Sequence, residues 1–83
     1  MRWNSAKSEK LKRERGVSFE EIVQAELVGV LRHSKRANQR ILLFRYKNYI
    51  WVVPYVSRGE EIFLKTLFPS RKYTKMVDKG ELL

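Results

Sequence analysis

The chain has 83 residues, room for a single domain over 1–83, and 18 lysines and arginines against nine acidic residues give a formal net charge of +9. It has no cysteine and one histidine, which excludes disulfides, cysteine-held zinc and thiol nucleophiles and leaves little room for a histidine metal site. No apolar run nears the ~20 residues that span a bilayer, and MRWNSAKSEK lacks the apolar segment of a signal peptide, so a cytoplasmic protein without membrane contact, metal or cofactor is expected.

Taken in chain order, Ser5 can cap a helix from about Ala6 to Arg15 that docks through Leu11, with Trp3 packing just before it. Gly16 suits its C-terminal end, because glycine accepts the left-handed conformation there without penalty. In GVSFEE, Gly16 to Glu21, Ser18 and Glu21 have the spacing of a capping box, and Val17 and Ile22 that of a hydrophobic staple. A second helix is predicted from Phe19 to about Val28, with Gly29 as its stop.

From Val30 the pattern becomes strand-like. VLRHS (30–34) is a short first strand, SKRAN (34–38) a basic loop, and QRILLFRYK (39–47) a strand apolar on both faces in its middle. Lys47-Asn48 is a tight turn, and YIWVVPYVS (49–57) is the third strand. Pro54, which has no N–H to donate, predicts a bulge or a local end to pairing there. Ser57-Arg58-Gly59-Glu60 turns into a fourth strand, EIFLKTLF (61–68). After Pro69, Ser70 caps a short helix over Arg71 to about Lys79, ended by Gly80. The fold class is therefore α+β: two N-terminal helices, a four-stranded antiparallel meander and a short C-terminal helix, in the order ααββββα.

Charge is segregated along the chain. No acid lies between Glu26 and Glu60, a stretch holding Arg32, Lys35, Arg36, Arg40, Arg45, Lys47 and Arg58. A second acid-free run, Ile62 to Val77, holds Lys65, Arg71, Lys72 and Lys75. Unbalanced positive charge on so small a domain favours a polyanion or an acidic protein as partner.

The early Arg2-Trp3, the first helix with Lys7, GVSFEE, a glycine turn between the last two strands, and SRKYTK at Ser70 to Lys75 together resemble the BrnT family of bacterial toxins, small basic relatives of the RelE-type ribonucleases. The resemblance covers nearly the whole chain. It implies a RelE/BrnT-like fold and the toxin of a type II toxin–antitoxin pair. Such a toxin cleaves RNA without a metal and is neutralised by a ribbon-helix-helix antitoxin, through which it contacts operator DNA indirectly. The family's Lys-His before GVSFEE is replaced here by Glu14-Arg15. Its basic residue on the fourth strand matches Lys65 if Pro69 marks a one-residue shift; otherwise Thr66 takes the place.

RNA cleavage by a ribose 2′-hydroxyl needs a base, an acid and fixed positive charge on the crowded phosphate. One histidine rules out a two-histidine mechanism. Arginine supplies a bidentate phosphate clamp, and lysine serves as acid or base when neighbours or burial lower its pKa. The candidate catalytic residues are Arg71, Lys65, Arg45, Lys7 and Arg15. Arg71 leads because it opens a helix, where backbone N–H groups also favour a phosphate; its plain alternative is an ion pair with Glu60, Glu61 or Asp78. Lys65 and Arg45 sit mid-strand among apolar neighbours, where a charge must face a cleft or snorkel out. Lys72, Tyr73, Lys75, Arg40 and His33 are the candidate RNA-binding residues. A non-catalytic basic module that grips nucleic acid is the alternative function.

Overall fold

The computed structural model describes residues 1–32 and 39–81. His33 and the SKRAN loop lie outside them. Helix α1 (Ser5–Arg15) and the one-turn α2 (Phe19–Ile22) precede β1 (Glu26–Arg32), β2 (Gln39–Tyr46), β3 (Tyr49–Arg58), β4 (Glu61–Leu64) and β5 (Phe68–Pro69), and α3 (Arg71–Asp78) follows. The fold is α+β. The strands form one antiparallel sheet in the order β1-β2-β3-β4, with β5 also paired to β3. Among the described residues no helix is long and apolar enough to cross a membrane.

The cap of α1 is Asn4 and not Ser5: the Asn4 side chain accepts from the Lys7 N–H at 2.9 Å. An Asx oxygen one residue upstream satisfies the same unpaired donor, so Ser5 enters the first turn. Gly16 ends the helix at φ 78°, its N–H bonded to the Lys12 carbonyl. Both halves of the Ser18–Glu21 capping box form, and Val17 and Ile22 are buried in one cluster. Helix α2 nevertheless stops at Ile22, six residues short of the expected Val28. A capping box specifies a helix start and carries no information about length. Residues from Glu26 onward pair instead with β2, from Glu26 opposite Arg45 to Arg32 opposite Arg40. Gly29 lies inside this strand, just beyond a bulge at Val28, and terminates no helix.

Lys47 (φ 53°) and Asn48 (φ 63°) both take the left-handed conformation, as a two-residue hairpin of primed type requires. Pro54 neither bulges nor interrupts β2–β3, whose register runs unbroken from Gln39 opposite Val56 to Tyr46 opposite Tyr49. Its carbonyl accepts from the Lys65 N–H at 2.9 Å. A strand residue's N and C=O point to the same side, so the missing donor faces away from β2. On that side the pairing does end: β4 leaves β3 after Leu64 and β5 rejoins it at Phe68. The expected single strand over 61–68 is thus split. Between its halves Leu67 dives into the core, and the Arg15 guanidinium donates to the Leu67 carbonyl.

Alternation sorts the sheet's side chains onto two faces. Leu42, Phe44, Trp51, Val53, Tyr55 and Leu64 pack under α1 and α2 against Leu11, Val17, Phe19 and Ile22. Leu43, Ile50 and Val52 point the other way, towards Tyr73 and Val77 of α3. Helix α3 is capped by Ser70, and its Thr74 hydroxyl accepts from the Ile50 N–H at 2.9 Å.

The joint between α1 and α2 is held by polar groups as well. Buried Ser8 accepts the Phe19 N–H at 2.9 Å and donates to Glu20 at 2.5 Å. Glu20 also takes the Trp3 indole N–H at 3.1 Å. Lys12 reaches Glu21 at 2.8 Å. Removing the Ser18 cap with Ser18→Ala is expected to cost about 1 kcal/mol. Ser8→Ala should cost more, ~1–3 kcal/mol, because it strands the buried Phe19 N–H. Urea titration of the two variants checks the ranking; a neutral Ser8→Ala would contradict it.

The hydrogen bond from Lys12, then that from the Ser18 N–H, lowers the Glu21 carboxyl from 4.5 to about 2. A carboxyl depressed by folding stabilises the fold above its unfolded pKa, and that contribution is lost as pH falls. Stability should therefore decline between pH 4.5 and about 2. Glu21→Gln should flatten the decline without abolishing it, since Glu20 is also lowered, chiefly by the Ser8 hydroxyl. Thermal melts across that window check this; an unchanged slope in Glu21→Gln would count against it.

Candidate functional site

Helix α3 covers only part of the second sheet face. Beyond it, on the β4 side, lies an open cleft of about 330 Å³ lined by Arg2, Val56, Arg58, Glu61, Phe63 and Lys65. The strand period places it. Glu61, Phe63 and Lys65 are two apart on β4 and its extension, and therefore project to one face. Arg58 stands opposite Glu61 and Val56 opposite Phe63 in the β3–β4 register.

Arg2 comes from the other end of the chain. Its N–H donates to the Ile62 carbonyl and its own carbonyl accepts from the Leu64 N–H, each at 2.8 Å. This one-residue parallel bridge sets Arg2 beside Phe63. The N-terminal segment thereby occupies the outer edge of β4, which would otherwise offer unpaired backbone groups.

Three cations and one carboxylate thus surround an apolar floor of Val56 and Phe63. The Arg2 guanidinium is 3.3 Å from Glu61, and both side chains are largely exposed. Such a pair contributes little to stability and is easily exchanged for another anion. The Lys65 ammonium lies 5.8 Å from the Phe63 ring centroid, a cation–π distance. Phe63 itself is 38% exposed, as is Phe68. Among the described residues no group of three or more His, Cys, Asp or Glu could hold a metal ion.

Of the five residues expected to act in catalysis, Lys65 lines this cleft and the others lie elsewhere. Arg71 opens α3, exposed, with no ion pair among the described residues. Ser70 bonds to Ile50 whereas Lys65 bonds to Pro54. Those anchors are four residues apart on β3, about 13 Å at a rise of ~3.3 Å per residue. Arg45 is on the same sheet face but is engaged by Glu26 at 3.4 Å and Asp78 at 3.9 Å. Arg15 is turned to Leu67 and Thr66 as a tie between α1 and the chain after β4. Lys7 sits on α1, about 12 Å along the helix from Arg15 at 1.5 Å per residue.

The expected RNA-binding residues divide similarly. Lys72 and Lys75 are exposed on α3, on the cleft's side of the sheet. Tyr73 packs against the second core cluster, with the Lys72 ammonium 5.6 Å from its ring. Arg40 lies on the helix-covered face but beyond the helices, directly opposite Arg32. Two like charges so placed repel. On that face of β1, Leu27 and Val30 are 49% and 51% exposed.

Arg2, Arg58, Glu61 and Phe63 were not singled out as site residues by the sequence reading. One signal was present: E-I-F-L-K at Glu61 to Lys65 alternates, and the face carrying Glu61 and Lys65 also carries an aromatic. Arg2 had no such signal, because its place depends on a backbone bridge across sixty residues of sequence. No family model matches this chain, and no curated protein or solved structure matches it either.

Proposed function

We propose that the chain is the toxin of a type II toxin–antitoxin pair, a metal-independent endoribonuclease of RelE/BrnT-like fold held inactive by a ribbon-helix-helix antitoxin. The observation that supports this reading best is the position of the cleft. Its cations Arg2, Arg58 and Lys65 open on the same side of the sheet as Arg71, Lys72 and Lys75 of α3. A phosphate backbone laid along that side meets positive charge at both ends of its path. The sequence motifs that resemble the toxin family point in the same direction.

In this reading the cleft supports the chemistry as follows. The ribose 2′-oxygen attacks the adjacent phosphorus as its proton passes to a base, and Glu61 is the carboxylate within the cleft that suits that role. The P–O5′ bond breaks, and the departing 5′-oxygen takes a proton from Lys65 or water. The products are a 2′,3′-cyclic phosphate and a 5′-hydroxyl. Arg58 and Arg2 stabilise the charge that builds on the phosphate oxygens, a contribution largest where donors are fixed in advance.

The test is cleavage of a short RNA in EDTA. Lys65→Ala is expected to lose ~10²–10³ in rate, within the usual effect of removing a general acid, while circular dichroism remains that of the wild type. Arg71→Ala should lose less, through weaker binding. The reverse order would move the reaction centre to the start of α3. Binding without any cleavage would leave the non-catalytic nucleic-acid module as the better description.

For the antitoxin we propose an acidic and apolar segment seated over Leu27, Val30, Arg32 and Arg40, where exposed aliphatic area adjoins two repelling arginines. Charge reversal at Arg32 and Arg40 together should weaken the complex by at least about tenfold, in line with the several kcal/mol that like-charge juxtaposition can cost. Calorimetry on the purified pair measures this, and unchanged affinity would remove that surface from the interface.

A further inference from the structure

We infer that the Arg2–Arg58–Glu61–Phe63–Lys65 cleft seats one unpaired nucleotide, its base against Phe63 and Val56 and its phosphate held by the arginines. The inference rests on the nucleic-acid reading above and specifies which form of nucleic acid the cleft takes. Three observations lead to it. The cleft's volume of about 330 Å³ falls in the ~300–1,000 Å³ range of small-molecule sites and is open on one side. Its apolar part is an exposed aromatic beside a valine, a stacking platform that any base can use. Its polar part is cationic, with fork-shaped donors on Arg2 and Arg58 that match phosphate oxygens.

A base within a duplex is stacked on both sides and cannot lie on Phe63 without leaving its helix. Single strands are therefore preferred to duplexes. Glu61 has a second consequence. Its carboxylate holds Arg2 at 3.3 Å, so an arriving phosphate must displace that carboxylate and settle beside its negative charge. Glu61 thus weakens ground-state binding even where it serves the reaction.

The experiment uses the whole chain and a fluorescein-labelled oligodeoxythymidylate of about ten nucleotides, within the 4–16 that single-strand sites commonly span. Lacking 2′-hydroxyls, this probe cannot be cleaved, so binding is read independently of ribonuclease activity. Anisotropy at fixed salt is expected to show Phe63→Ala weakening the single strand about 5- to 150-fold, the range for one lost base stack. Phe63→Trp should retain affinity, and Glu61→Gln should raise it. A blunt duplex of the same length should bind more weakly and ignore Phe63→Ala. In the wild type, thymidine monophosphate should shift the Val56 methyl and Phe63 ring resonances. Wild-type affinity in Phe63→Ala would overturn the inference. So would a duplex that binds as well as the single strand, or a polyglutamate peptide that competes equally, since each reduces the cleft to plain charge attraction. The expected binding pattern together with intact RNA in EDTA would support the seat while ending the ribonuclease reading.

Discussion

Strand β3 is the constraint on which the rest of the molecule depends. Its residues Ile50, Trp51, Val52 and Val53 are buried consecutively, so both of its faces must be covered. It hydrogen-bonds to β2 along one edge and to β4 and β5 along the other. A chain of this length buries only about 60% of the surface its unfolded form exposes, and here the two faces are covered unequally. The helix layer of α1 and α2 takes one face. The other receives α3, eight residues long, placed over Leu43, Ile50 and Val52. What remains bare on that face is the β4 side, and the cleft is that remainder.

Proline at position 54 has a role in where the remainder falls. Because its absent N–H faces β4 and β5, the β2–β3 ladder keeps its full register while the opposite edge is divided. The division lets Leu67 enter the helix-side core and lets the chain turn through β5 into α3. It also leaves Lys65 as the last residue to follow the β4 ladder, on the open face with Phe63.

The N-terminal residues join the two layers. Trp3 lies against Phe19, with ring centroids 5.9 Å apart and planes tilted by 37°, and donates to Glu20, on the helix side. Its neighbour Arg2 is bridged to β4 and projects into the cleft. Adjacent residues of an extended segment point to opposite faces, so one dipeptide contributes to both the core and the site. The polar ties Ser8–Phe19 and Lys12–Glu21 hold α1 in the orientation that makes this possible. Two of the arginines meanwhile have a structural use. Arg15 holds the Leu67 carbonyl, and Arg45 bridges the first strand to the end of α3.

Local chemistry in the sequence determined several features of this protein by itself. The Gly16 stop, the Ser18–Glu21 box, the Lys47-Asn48 turn and the Ser70 cap each depend on groups within a few residues, and a short chain segment carries all the energy that decides them. The α+β character and the absence of cysteine chemistry were legible for the same reason. Helix α2 could not be measured in this way, because Glu26 to Val28 is decided by pairing with Phe44 and Arg45, beyond the reach of a cap. The cleft was equally hidden. Arg71, in the most recognisable motif, follows Ser70, whose anchor on β3 lies about 13 Å from that of Lys65 at ~3.3 Å per residue. Arg2, Arg58 and Phe63, which share no motif, meet because strand register and one backbone bridge bring them together. Register is a long-range property, set by which faces the whole chain can bury, and only the tertiary structure decides it.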